Sequence, residues 1–296
     1  MTSKVHIGSH HIHLKTKAYG TEGVFEKEDT MSSYLFENAA PQASQRFTSL
    51  EQLYDPWTTR HLQATGIGPG WQCWEVGGGG GSIAAWLAEQ CGPTGHVLVT
   101  DIDPRMLTVL ATLGQPQIEI QRHDIGTDPV PAQTFDVIHA RLVLIHVPAR
   151  EAALQRMVTA LKPGGWLVVE DFDPTLIDRS YATSDTAAAA LYQKMLAAQG
   201  RLMATRGGDK LWARSLYRRM LAAGLVEVGM EGYLAVWPGQ SLGARLDRAN
   251  FQQIRQEATS AGLITGEEVD QVLALLADPT FAISASMMFT AWGRLP

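Results

Sequence analysis

A run of five glycines, Gly77-Gly78-Gly79-Gly80-Gly81, stands between Cys73-Trp74-Glu75-Val76 and the segment Ser82–Gln90. The first flank reads as a buried strand. The second reads as a helix, with Ile83, Trp86 and Leu87 on neighbouring faces. Glycine permits positive φ, a sharp turn and close backbone approach to a ligand. A helix that starts at once offers unpaired amides to polar or anionic groups. A flexible linker of the same composition would lack an apolar strand on one side and an apolar-faced helix on the other. The run is therefore read as a ligand-binding strand–turn–helix junction.

The segments that follow repeat the style. Val97–Thr100, Ile118–Gln121, Phe135–Ile138 and Trp166–Glu170 read as short buried strands. Arg105–Leu113 and Arg150–Leu161 read as helices, and Lys162-Pro163-Gly164-Gly165 as a turn. Such alternation implies right-handed crossovers and a mainly parallel sheet covered on both faces. Further on, helices are expected near Ser184–Met203, Leu211–Ala223, Leu242–Ser260 and Gly266–Ala277, with strands at Val226–Val236 and Met287–Trp292. Ahead of the core, Met31–Thr65 is helical in three pieces, broken at Pro41 and Pro56. The expected division is a polar extension over 1–30, a helical cap over 31–66, a cofactor-binding core over 67–237, a helical insertion over 238–280 and the last core strand over 281–296. The cap and the insertion are amphipathic and have no place in a minimal sheet, so they are expected to form a lid over the strand ends.

Two more motifs narrow the ligand. Asp101 ends the second strand about 20 residues past the glycines, where a carboxylate can accept from both ribose hydroxyls. Asp103 is placed to cap the helix starting near Pro104. Asp124, in His123-Asp124-Ile125, follows the third strand.

Together these motifs resemble the class I S-adenosylmethionine-dependent methyltransferases, over Gln72 to about Asp173. Glu75-Val76-Gly77-Gly78-Gly79-Gly80-Gly81 matches that family's acidic-x-Gly-x-Gly-x-Gly pattern, and Thr100–Leu107 looks like its ribose-binding strand end and following helix. Leu144-Ile145-His146-Val147-Pro148 looks like the loop after its fourth strand, and Leu161–Leu167 like the turn before its fifth. The combination is similar to the small-molecule branch, of the ubiquinone and menaquinone biosynthesis type. The resemblance implies an α/β, Rossmann-like fold with a seven-stranded, mainly parallel sheet, helices on both faces and an antiparallel last strand. It implies S-adenosylmethionine as cofactor. Gly77, Gly79 and Gly81 would line its methionine and ribose portion, and Glu75 would approach the amino group. Asp101 would bind the ribose, Ile102 would pack on adenine, Asp124 would meet the adenine amino group, and Arg141 would line the pocket. Glycine at the intervening positions Gly78 and Gly80 departs from the pattern and suggests a looser loop that a ligand must order. A nicotinamide cofactor would share the glycines and the acidic residue, but no Tyr-x-x-x-Lys signature accompanies them.

Methyl transfer is an in-line displacement, so the protein chiefly aligns nucleophile, methyl and sulfur. A hydroxyl acceptor would profit from a general base. His146, Asp171 and Asp173 are the candidates, with His139 nearby, because they lie at or past the C-terminal ends of strands four and five. The expected partner is a small, aromatic or apolar acceptor methylated on oxygen or carbon, and a homodimer is compatible with the sequence. No nucleic-acid partner is expected: the net charge is −6, and the arginines of Arg214–Arg219 are spaced as on an ordinary amphipathic helix. An RNA or protein methyltransferase, and a non-methylating scaffold or cyclase, remain the alternatives. The two cysteines, Cys73 and Cys91, form no metal-binding spacing and suit a reducing cytoplasm. His6, His10, His11 and His13 are read as part of a polar leader without a metal site, and no apolar stretch approaches a membrane span.

Overall fold

In the computed structural model, residues 35–36, 43–107, 110, 112, 114–176 and 185–296 are described. The expected extension over 1–30, most of the first cap helix and the later part of the Arg105–Leu113 helix lie outside them. Helix α1 covers Ala43–Ala64, α2 Ser82–Cys91, α3 Arg150–Ala160, α4 Thr186–Thr205, α5 Leu216–Ala222, α6 Leu242–Ser260 and α7 Gly266–Leu275. The strands are β1 Gln72–Val76, β2 His96–Asp101, β3 Ile118–Arg122, β4 Phe135–Arg141, β5 Leu161–Asp173, β6 Val226–Tyr233, β7 Val236–Pro238, β8 Ala282–Ser284 and β9 Met287–Arg294.

Seven strands form one sheet in the order β3-β2-β1-β4-β5-β9-β6. The β1, β2, β3, β4 and β5 pairings are parallel, and β9 runs antiparallel between β5 and β6. This is the seven-stranded, Rossmann-like α/β fold expected from the sequence. The chain leaves β1 toward β2 on one side and returns as β4 on the other, so the crevice at the C-terminal ends of β1 and β4 is the natural ligand site.

Register decides which side chains share a face. Glu75 lies opposite His139, Arg141 opposite Glu170, and Glu170 opposite Thr290. These residues occupy the face beneath α1. Trp74, Ile138, Ala140, Leu167 and Val169 point the other way, into a core shared with Leu154 and Met157 of α3 and Leu216 and Met220 of α5. A separate core above the strand ends joins Leu50 and Tyr54 of α1, Tyr192 and Met195 of α4, Phe251 and Ile254 of α6, and Val269 and Val272 of α7. The described residues, from 35 to 296, form one compact unit.

Three local expectations are corrected. The helix expected to stop at Pro56 runs through it. Proline frees the carbonyl four residues back, that of Gln52. Gln52 and Pro56 both lie on the exposed side of α1, where solvent can take that bond, while Tyr54 and Thr58 are buried on the other side. The strand expected over Val226–Val236 divides. β7 leaves the main sheet to pair with β8, because Trp237 seats itself against Gly243 of α6, where no side chain is in the way. The Lys162-Pro163-Gly164-Gly165 turn is an excursion inside β5, which shifts register between the Phe135–Leu161 and Val137–Trp166 pairs; Gly164 takes φ +81° and donates to the Leu295 carbonyl at 2.8 Å.

Because the ring of Pro56 faces solvent, Pro56→Ala should stabilise the protein by about 1–3 kcal/mol, the restored helical bond outweighing the lost rigidity of the unfolded chain. Urea unfolding of the two proteins measures this. An unchanged or lower midpoint would mean that the ring has packing that α1 needs.

Candidate active site

The glycine run is held from below. Gly77 and Gly78 both donate to the Thr100 carbonyl, at 2.7 and 2.9 Å, and the Thr100 hydroxyl is itself held by the Trp74 indole at 2.9 Å. Gly77, Gly79 and Gly81 have φ of +72°, +54° and +92°, the left-handed region that side chains avoid. The two intervening glycines do not make the loop loose. A Cβ on Gly78 would collide with Val99 and Leu107, and one on Gly80 with Glu51 and Phe47 of α1. Helix and sheet thus contact the loop from opposite sides, which gives Gly78 and Gly80 a packing role that the sequence reading did not include.

A cavity of about 650 Å³ opens over this junction. Glu75, Gly77, Gly79, Asp101, Ile102, Asp124, Arg141 and His146 line it, as do Gly78 and Gly80. Gly81 does not. It forms the N-cap of α2, against Leu110, and its amide bonds the Gly78 carbonyl. Asp101 joins the glycine run to the end of β2: one oxygen accepts from the Gly79 amide at 3.2 Å and the other from the Asp103 amide at 2.9 Å. Burial raises its pKa, and those amides oppose the rise. Ile102 is 41% exposed at the cavity wall, an apolar side chain left open for a flat ligand face. Asp124 accepts from the Gly126 amide at 2.8 Å.

Beneath the cavity lies a buried ionic chain. Glu75 Oε2 is 2.7 Å from His139 Nδ1, and His139 Nε2 is 3.5 Å from Glu170 Oε2. Glu170 also accepts from the Thr58 hydroxyl at 2.5 Å and the Thr290 hydroxyl at 2.6 Å. Arg141 donates to Thr58 and to Asp55 of α1, each at 2.9 Å. Burial works against a charged His139, but the carboxylates on either side outweigh it and raise its pKa to about 9. Burial pushes Glu75 up, with His139 and Arg141 pulling back, whereas for Glu170 the His139 contact wins and lowers it. The sequence offered a signal for this chain: polar residues inside strands buried on both faces need buried partners.

The catalytic candidates separate. His146 is on the cavity wall, yet burial, then Arg46 and Arg150, push its pKa down to about 3. Such a ring is neutral at physiological pH and a weak proton acceptor. Asp171 and Asp173 are not on the wall. They point to the opposite face of β5 from Phe172, which does line the cavity. Burial raises the pKa of Asp171 well above the usual carboxylate range, with the Ile145 amide and Arg150 opposing the rise. Asp173 accepts from Thr175 at 2.8 and 2.7 Å and pairs with Arg214 at 2.5 Å, which makes it a turn and ion-pair residue. The sequence reading missed Phe47 and Glu51 of α1 as the roof of the glycine run, and missed α4, whose Gln193, Leu196, Ala197, Gly200 and Met203 form a wall at helical spacing. Leu246 and Asn250 of α6 close that wall.

A methyltransferase domain family model matches residues 74–169. The methyltransferase str2 of Strobilurus tenacellus is 33% identical over 144 residues, 48% of this chain and 48% of its own length. The ubiquinone/menaquinone biosynthesis C-methyltransferase UbiE of Pseudomonas fluorescens is 32% identical over 148 residues, 47% of this chain and 58% of its own length. Residues 74–169 thus match a methyltransferase domain, and the chain is similar to the class I S-adenosylmethionine-dependent methyltransferases. It spans about half the length of the curated relatives it matches. The BH2331 protein of Bacillus halodurans shares the fold, with a TM-score of 0.54 at 16% identity over 80% of this chain and 98% of that one. The residues of this site fit S-adenosylmethionine: a glycine cradle that any Cβ would fill, an apolar Ile102 beside it, and carboxylates at the ends of β1, β2 and β3.

The two histidines impose opposite pH slopes on stability. His139 is raised from 6.5 to about 9, so its contribution is complete below pH 6.5 and is lost as pH rises through 9. His146 is lowered from 6.5 to about 3, so its contribution is present above pH 6.5 and is lost as pH falls toward 3. Urea unfolding measured up to about pH 10 should therefore show an alkaline loss on the order of a few kcal/mol. His139→Gln, less stable overall, should lack that loss. An equal alkaline loss in both proteins would place its origin elsewhere.

Proposed function

We propose that the protein transfers a methyl group from S-adenosylmethionine to an oxygen or carbon of a small, aromatic or apolar acceptor. The observation that carries this reading is one continuous cavity with two chemically different halves. The glycine run, Glu75, Asp101, Ile102 and Asp124 supply one set of lining groups; Phe172, Leu196, Met203 and Leu246, with the amides of Gln193 and Asn250, supply the other, and Arg46 and Lys210 also line the cavity. The first half suits a nucleoside with a charged amino-acid tail, the second an uncharged, largely apolar molecule.

When bound, the cofactor supplies an electrophilic methyl on a sulfonium. Gly77 and Gly79 give its backbone-facing side room, Asp101 takes the ribose hydroxyls, Asp124 the adenine amino group, and Glu75 the ammonium group. The protein then has to align the acceptor and exclude water. Helix α1 roofs the glycine run, and α4 and α6 wall the acceptor half, so the lid expected from the cap over 31–66 and the insertion over 238–280 gains a third member in α4. With His146 neutral and Asp171 and Asp173 turned away, the site suits acceptors whose nucleophile forms without a strong protein base.

Incubation with S-adenosylmethionine and a panel of phenolic and polyketide acceptors, followed by mass spectrometry, tests the reading directly: some members should gain one methyl. A protein that binds the cofactor but methylates none of them, while accepting RNA or protein, would overturn the substrate class. Asp101→Ala should weaken S-adenosylhomocysteine binding by about 1–3 kcal/mol without unfolding the protein, since ribose hydroxyls and the Gly79 amide both lose a charged acceptor. Unchanged affinity by calorimetry would reduce Asp101 to a turn residue. Hydrogen exchange supplies the lid test. S-adenosylhomocysteine should protect α1 together with Gly77–Ser82, and adding an acceptor should extend protection to α4 and α6; a response confined to the glycine run would leave the acceptor half without a lid.

A further inference from the structure

Glu75 stands where the glycine run leaves the sheet, 3% exposed, with its carboxylate shared between the cavity wall and the interior. A carboxylate there is free to rotate unless one oxygen is held. His139, opposite it in the β1–β4 register and fully buried, holds Oε2 at 2.7 Å. The far side of the same ring faces Glu170, also fully buried, which is held in turn by Thr58 of α1 and Thr290 of β9. The Thr290 hydroxyl accepts from the Trp57 indole of α1 at 2.7 Å. Arg141 of β4 reaches Thr58 and Asp55 of α1. The ionisable groups about the ring are thus Glu75, Glu170, Arg141 and Asp55, drawn from β1, β5, β4 and α1. Three residues of α1, Asp55, Trp57 and Thr58, supply the ties that hold them, and the same helix roofs Gly79 and Gly80.

We propose that His139 is a positioning residue: by bridging Glu75 to Glu170 it aims the Glu75 carboxylate at the cofactor's ammonium group and makes that aim depend on α1 being docked. If α1 lifts, Glu170 loses Thr58, Arg141 loses both of its partners, and the ring loses its anchored neighbour. Glu75 can then turn away from the cavity. Closing the roof and setting the carboxylate become one event. Both ring nitrogens face carboxylates, so the ring carries both protons, and its elevated pKa keeps it charged through neutral pH. The proposal rests on the cavity being the S-adenosylmethionine site with Glu75 toward the ammonium.

Two nucleosides separate this role from simple support of the fold. S-adenosylhomocysteine carries the amino-acid tail; 5′-methylthioadenosine lacks it. Calorimetry on the full chain with His139→Gln should show S-adenosylhomocysteine affinity falling about tenfold and 5′-methylthioadenosine affinity changing less than about twofold. Thr58→Val, which removes one hydroxyl from α1, should show the same asymmetry to a smaller degree, and it carries the comparison should His139→Gln fail to fold. Equal losses for both nucleosides would make His139 a structural residue, and unchanged affinity for both would remove it from the site; either result overturns the proposal. If the parent protein binds neither nucleoside, the cofactor reading falls, and the proposal with it.

Discussion

A carboxylate, an imidazolium and a second carboxylate cannot be buried singly. The cost of taking one such charge from water reaches several kcal/mol even after relaxation, and a partner removed leaves the other uncompensated. Glu75, His139 and Glu170 therefore require one another, and they are supplied by three adjacent strands whose register must be right for the contacts to form. A one-residue slip between β1 and β4 would send His139 into the apolar core with Ile138 and Ala140. The chain also recruits α1 through Thr58 and Asp55, and β9 through Thr290. The roof over the cavity and the central sheet are both tied to the same ionic arrangement. Such chains are seldom the cheapest way to stabilise a core, since apolar side chains of similar size often do as well. Its location directly under a ligand cavity gives it another use.

The parallel strands β1, β4 and β5 were legible because they are buried on both faces and read as short apolar runs between glycine-rich or charged turns, whereas β3, at the sheet edge, is only partly buried. The cofactor half was legible because its demands fall on backbone: positive φ at Gly77 and Gly79, and a carboxylate at the end of the next strand. What sequence could not supply was parity and packing. Glu170, Asp171 and Asp173 look alike at the end of one strand, yet alternation puts Glu170 beneath α1 and turns the other two to the far side. Nothing local separates them, because the partner that decides the face is His139, about thirty residues earlier in a different strand. In the same way Pro56 signals a break when read alone. Only the knowledge that Gln52 and Pro56 face solvent explains why α1 passes through it.

Gly78 and Gly80 show how a local rule can point in the wrong direction. Counted as conformational entropy, five glycines in a row describe a loop expensive to order. In the folded protein the two intervening positions are small because Val99 and Leu107 on one side, and Phe47 and Glu51 on the other, come too close for a Cβ. The glycines that flex the backbone alternate with glycines that admit neighbours. The roof helix can lie directly on the loop, and the cavity begins where the loop's backbone is exposed.

The division of charge along the cavity carries the last step. Glu51, Glu75, Asp101 and Asp124 all belong to the glycine-run half, whereas α4 and α6 contribute amides and apolar side chains to the wall. A cofactor bearing an ammonium and a sulfonium is favoured by nearby carboxylates; Arg141 on the same wall is paired with Asp55 at 2.9 Å, and a cation without such a partner would disfavour that cofactor. His146 sits on that wall, and a protonated ring there would repel the sulfonium. Burial, with Arg46 and Arg150 nearby, holds it neutral. Read as a base, a histidine pushed down to about 3 is a poor one. Read as part of the wall around a cation, neutrality is the property the position needs. The group that departs in methyl transfer from a sulfonium is an uncharged thioether, which needs no acid to assist it. A site that is apolar and weakly basic on the acceptor side is then sufficient for the proposed reaction, and the demanding chemistry lies in holding the charged cofactor in one orientation, which is the task that the Glu75–His139–Glu170 chain is built to perform.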